Sequence, residues 1–118
     1  MADAGQVIAA IKAFRYAYAD EIALQEGIAA ALALAGIEAD REVRLSRRDK
    51  VDFLVGTIGI ELKVAGQPAA VERQLGRYAA SERISELVLV TTRPAHRSVP
   101  RLIGGKPMHV AWLSGVAR

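Results

Sequence analysis

The chain contains no cysteine. Disulfides and thiolate metal sites are therefore excluded, and the composition fits a reducing cytoplasm. The first residues lack the basic region and long apolar run of a secretory signal, so none is expected. The Ala-rich stretch at residues 27–36 is too short to span a bilayer and reads as part of a buried helix. No membrane partner is expected. His96 and His109 are the only histidines, and neither has a partner at metal-ligand spacing. A Gly-x-Ser-x-Gly elbow for a nucleophilic serine is missing. Gly104-Gly105-Lys106 runs into Pro107 and is not a phosphate-binding P-loop. Internal repeats and low-complexity tracts are absent too.

At 118 residues, the chain has the length of one domain with one core. Its 52% hydrophobic and 25% charged residues are those of a folded globule. A net charge of +3 favours a polyanionic partner, though only mildly.

Apolar spacing through Val7, Ile8, Ile11, Phe14 and Tyr18 predicts a first helix over residues 4–18. Asp20 as N-cap and Gly36 as stop bound a second helix. On that helix Leu24, Ile28, Leu32 and Ala35 point one way, Glu21 points with them, and Glu26 points almost opposite. Residues 37–45 read as a strand alternating through Ala39, Arg41, Val43 and Leu45, followed by a polar turn, Ser46-Arg47-Arg48-Asp49. Ala65-Gly66-Gln67-Pro68 breaks the chain before a helix opening at Pro68 or Ala69. Val71, Leu75, Tyr78, Ala79 and Glu82 share one face of that helix, and Arg73, Arg77 and Ala80 the other. Residues 84–92 form the apolar run of a central strand, 93–106 a loop rich in Pro and Arg, and 108–113 a last short strand. The expected class is α/β, with a parallel strand pair inside a mixed sheet.

The chemistry concentrates in Lys50 to Val64. Gly56-Thr57 suits a two-residue type II′ turn, which pairs Val55 with Ile58 and sets Asp52 opposite Glu61. Opposed residues have Cβ atoms about 4.5–5.5 Å apart. Glu61 and Lys63 share a face, while Ile60, Leu62 and Val64 point the other way. Two carboxylates and an ammonium thus converge in an apolar hairpin. Close carboxylates repel, and in a half-buried site one takes up a proton or the pair recruits a cation. A hard divalent ion uses one or two carboxylates with waters and phosphates. The plainer alternative is an ion pair on a solvated hairpin face.

Asp52, then Glu61-Leu62-Lys63, with a helical Glu upstream and Gln74-x-x-x-Tyr78 downstream, resembles the PD-(D/E)XK nuclease superfamily over residues 20–92. Relatives in that superfamily include RecB-type nucleases, Holliday junction resolvases and virus-type replication-repair nucleases. One departure is Val51, where many members have proline. The resemblance implies a restriction-endonuclease-like core, α-β-β-β-α-β, a mixed sheet flanked by helices. Residues 4–18 and 93–113 would be additions to it. It also implies a Mg²⁺-dependent DNA endonuclease or repair-type nuclease, with Mn²⁺ as substitute. Asp52 and Glu61 would hold the metal, the Leu62 carbonyl adding a ligand. Lys63 would orient water, and Gln74 would steady Lys63 or a phosphate. Glu21 and Glu26 are both candidates for the helical acid, which binds a second metal or tunes the first; helical phase favours Glu21.

The alternative function is a non-catalytic nucleic-acid-binding or assembly module on the same fold. Arginines at positions 44, 47, 48, 73, 77, 93, 97 and 101 offer a basic surface for DNA, and RNA remains open as a substrate. An exposed sheet edge after Trp112 is compatible with a homodimer.

Overall fold

The computed structural model describes residues 1–16 and 20–113. The elements are α1 (Ala4–Lys12), α2 (Glu21–Leu34), β1 (Asp40–Arg44), β2 (Lys50–Val55), β3 (Ile58–Lys63), α3 (Pro68–Ala79), β4 (Glu86–Thr91), a 3-10 helix (Pro94–Ser98), β5 (Leu102–Ile103) and β6 (Lys106–Trp112). The six strands form a mixed sheet in the order β1-β2-β3-β4-β6-β5. β1, β2 and β3 are antiparallel neighbours, β4 runs parallel to both β3 and β6, and β5 closes the far edge antiparallel to β6. The class is α/β, as the sequence predicts.

Two apolar layers cover the sheet. Val7 and Ile11 of α1, with Leu24, Ile28 and Leu32 of α2, pack on Phe53, Val55, Ile60, Leu62, Val88 and Val90. Val71, Leu75 and Tyr78 of α3 pack on Val51, Leu87, Leu89 and Met108 across the other face. Among the described residues, no helix is long and apolar enough to cross a membrane.

α1 is shorter than its apolar spacing predicts. Phe14 lies beyond its end and is exposed, and Tyr18 falls outside the described residues. The chain turns because Tyr16 folds back and its hydroxyl donates to the Ile11 carbonyl at 2.6 Å. The ring fits only because Gly27 has no side chain: a Cβ there would sit 2.9 Å from it. α2 starts and stops as expected. Asp20 accepts from the Ala23 N–H, and Gly36, at φ 73, lets Ile37 N–H donate to Leu32. Ala35 is exposed rather than buried, and Ala31 takes its place in the core. Glu82 likewise lies past the end of α3 and is exposed.

The largest departure is in β1 and β2. Ile37, Ala39, Phe53 and Val55 belong to the α2 side, whereas Val43, Leu45 and Val51 belong to the α3 side. Strict alternation would put each strand's odd-numbered residues on one face. Both strands instead reverse faces at the row of Glu42 and Asp52, where the regular pairing is interrupted. Glu42 has φ 54, the one non-glycine residue in the left-handed region among those described. One residue on each strand occupies the row, so the reversal is matched rather than a bulge.

The reversal bends the hairpin tip over α3. Asp49 at the tip is buried, and Arg77 Nε donates to its Oδ1 at 3.0 Å. The stretch 93–106, expected as loop, contains the 3-10 helix and the short strand β5. Arg77→Met would leave the Asp49 carboxylate without its charged partner. It should cost about 1–3 kcal/mol in a denaturant melt, whereas Arg73→Met, on an exposed position of the same helix, should cost about 0.5 kcal/mol or less.

Candidate active site

The hairpin turn sets the register that brings the acids together. Gly56, at φ 61, precedes Thr57, which is outside the left-handed region, as a type II′ turn requires. Val55 pairs with Ile58 and Phe53 with Ile60, so the next row is Asp52 and Glu61. Regular pairing between β2 and β3 ends there, and side chains take over its hydrogen bonds. The Leu62 N–H donates to Asp52 Oδ2 at 2.8 Å, and the Asp52 N–H donates to Glu61 Oε1 at 3.2 Å. In an antiparallel strand the N–H and C=O of one residue face the same neighbour. The Leu62 carbonyl therefore faces the gap that its N–H enters.

Both helical layers reach this gap. From α2, Gln25 Nε2 donates to Asp52 Oδ1 at 3.1 Å and to Glu42 Oε2 at 3.2 Å. The amide is fixed because Arg41 donates to Gln25 Oε1 at 2.9 Å. From α3, the Tyr78 hydroxyl donates to the Lys50 carbonyl at 3.0 Å and lies beside Glu61. Gln74 donates to that hydroxyl at 2.8 Å. Gln74 thus meets the site through Tyr78 rather than by contact with Lys63. Lys63 Nζ approaches Glu61 Oε2 at 3.6 Å, at the edge of ion-pair range.

Both helical acids are exposed, so Glu21 does not turn into the gap as the phase of α2 predicts. Glu26 is bound by Arg41 at 2.7 Å in solvent, and this hydrogen bond holds its carboxyl below the usual range. Glu21 is exposed, but its charge acts on Asp52. It makes no hydrogen bond to the acids. Among the described residues, no three His, Asp or Glu side chains converge into a ready-made metal cage.

Burial governs the electrostatics. Glu61 is 4% exposed, and burial, reinforced by the Asp52 charge, pushes its pKa up to about 8. Asp52 is raised as well, first by burial and then by the charges of Glu21 and Glu42. Burial and the neighbouring Glu61 push the Tyr78 phenol up. The ionised pair is therefore costly without a cation. Open clefts of about 630 and 530 Å³ line the Gly36–Asp40 segment at the far end of α2. Neither includes Asp52, Glu61 or Lys63.

The residues missed in the sequence are Gln25 and Glu42. Gln25 stands one turn after Glu21 on the same flank, a signal that was available. Glu42 has no sequence signal, because nothing marks a glutamate that must take a positive φ.

Fold and site together define an α/β protein in which half-buried Asp52 and buried Glu61 are opposed at a break in a mixed sheet. Comparison with protein-family models, with curated proteins and with solved structures finds no match for this chain.

The Glu61 shift sets a pH dependence with a definite sign. Between its ordinary value of 4.5 and about 8 the folded protein holds a proton that the unfolded chain has released. Stability should therefore fall as pH rises through that window, by a few kcal/mol in total. Glu61→Gln should flatten the fall and leave the metal-free protein more stable above about pH 8. Urea melts across pH check both.

Proposed function

We propose that this chain is a metal-dependent nuclease with a restriction-endonuclease-like core, acting on DNA. One observation carries the reading: half-buried Asp52 and buried Glu61 are held together in one gap of the sheet, with Lys63 as the lysine that offsets them. An arrangement kept only for stability would not oppose a half-buried carboxylate to a buried one. The element order from α2 to β4 supports the core assignment, since it runs α-β-β-β-α-β.

The donor set suits a hard divalent ion such as Mg²⁺, which takes oxygens and keeps several waters. Asp52 and Glu61 would hold it, and the Leu62 carbonyl faces the same gap. The bound ion would polarise the phosphate and lower the pKa of a water. The protein's own groups do the rest. Gln25 keeps Asp52 in one orientation, and Tyr78 with Gln74 lines the Glu61 side. Lys63, loosely paired with Glu61, turns to the phosphate and offsets the charge that develops there. Glu21 tunes the site through its field or holds a second ion.

Mn²⁺ or Mg²⁺ should raise the melting temperature by mass action and support phosphodiester cleavage. The metal-induced rise should grow with pH up to about 8, because Glu61 must lose its proton to bind. Asp52→Asn should abolish both the rise and the cleavage. Lys63→Ala should keep most of the rise while cleavage falls by about 10²-fold or more. A folded protein that ignores metal at every pH would instead favour the non-catalytic nucleic-acid-binding module.

The helical acid has its own comparison. Glu21→Gln should depress metal-dependent cleavage by about tenfold, while Glu26→Gln leaves it within about twofold. Equal effects would remove Glu21 from the site.

A further inference from the structure

The sheet carries a second group on the face and at the row of Lys63. Lys63 pairs in register with Thr91, and Thr91 with Trp112, on parallel neighbouring strands. Leu87 and Leu89 put the Thr91 face on the α3 side, and Met108 and Val110 do the same for Trp112. Two strand spacings separate Lys63 from Trp112, about 10 Å between backbones.

Trp112 is unusual in two respects. Its indole Nε1 is buried and finds no acceptor among the described residues. The second is Arg97, whose guanidinium lies 3.9 Å from the centre of the ring. Stacking a cation on tryptophan is the strongest use of an aromatic face for this purpose.

The surroundings fix Arg97 further. It stands on the 3-10 helix, whose His96 is fully buried and bridges two elements. His96 Nδ1 is 2.7 Å from Thr91 Oγ1, and Nε2 is 2.7 Å from the Gly66 carbonyl in the segment following β3. The Arg93 N–H donates to the same Thr91 oxygen at 3.0 Å. The helix bearing Arg97 is thus pinned to the row that ends in Lys63. Arg97 is exposed and, like most arginines among the described residues, takes part in no ion pair; its Nε donates to the Pro94 carbonyl at 3.4 Å and its other guanidinium N–H groups are left for a ligand.

We propose that Arg97, stacked on Trp112, is a phosphate-binding arm for the nucleic-acid strand whose scissile phosphate lies at Lys63. This rests on the nuclease reading for the identity of the ligand. Successive phosphates are roughly twice as far apart as the axial rise of about 3.4 Å per nucleotide, because they also advance around the helix, so about 10 Å spans one to two nucleotides. Arg97 therefore addresses a phosphate one or two nucleotides from the bond that is cut. Its stacked, pre-set guanidinium presents N–H groups that a carboxylate or phosphate accepts as a pair.

Trp112 is the only tryptophan in the chain, so the native emission reports this position directly. A fluorescein-labelled DNA strand of about 12 nucleotides, single or annealed, is titrated into the protein in EDTA at several salt concentrations. Anisotropy gives affinity, and a parallel titration with unlabelled strand follows Trp112 emission. The wild type should bind with a saturable change in emission at the same midpoint. Arg97→Gln should weaken binding by roughly tenfold and lower the salt slope by about one. Arg97→Lys should recover the slope but less of the affinity. A dinucleotide, whose single phosphodiester cannot meet both Lys63 and Arg97, should bind wild type and Arg97→Gln alike. The Mn²⁺-induced rise in melting temperature should be the same for both proteins, which separates this contact from the acid pair.

If DNA binds and is cut, yet Arg97→Gln leaves affinity and slope unchanged, the stack is only structural and the proposal fails alone. If DNA binds with the Arg97 dependence but metal has no effect, the nuclease reading fails and this contact stands. Absence of DNA binding at low salt overturns both. Trp112→Phe adds a check that does not rely on Arg97, and should weaken binding less than Arg97→Gln.

Discussion

The Asp52 carboxylate occupies a place in the sheet where a backbone carbonyl would ordinarily be. It accepts the Leu62 N–H at 2.8 Å, and with that bond the gap between β2 and β3 becomes satisfied rather than merely open. A buried N–H without an acceptor would cost about 1–3 kcal/mol, so the strands can separate here only while the carboxylate stays in position. The face reversal in β1 and β2, the bend of the hairpin tip over α3 and the access of Gln25 to the acids all depend on that separation.

The same gap explains why two helical layers meet at one pair of acids. A continuous sheet would isolate α2 from α3. Here Gln25 approaches from one side and holds the Asp52 carboxylate, while Tyr78 approaches from the other and donates to the Lys50 backbone carbonyl. The arrangement carries an electrostatic cost, because Glu61 is buried beside Asp52 and Lys63 offsets only part of their charge. Such a cost is typical of a place where a protein keeps reactive groups at the expense of stability.

Much of this was legible in the residues. Gly56-Thr57 identified the turn, and the turn identified the register. The phase of α2 correctly marked Leu24, Ile28 and Leu32 as its buried side, but Glu21 and Glu26 are both exposed and burial does not separate them. What escaped was controlled by tertiary contacts. Alternation through Ala39, Arg41, Val43 and Leu45 looks like a regular strand, and only the strained φ of Glu42 reveals that it changes faces. The Asp49–Arg77 pair joins positions that local patterns treat as turn and solvent-facing helix. β5 is two residues long and depends on β6 for its existence, so no periodicity could announce it. Phe14 continues the helical spacing of α1, but a glycine in another helix lets Tyr16 end it.

The matched reversal in β1 and β2 also limits how this chain can change. An inserted or deleted residue on one strand before the row of Glu42 and Asp52 would put that strand's apolar side chains on the wrong layer while its partner stayed in place. Compensation requires a second event on the opposite strand, at the corresponding position. Length variation in this lineage should therefore collect in the turns at either end, at 45–49 and 56–57, and spare the strands between them. The two halves of the hairpin can change length only together, although only β2 carries the acid that faces Glu61.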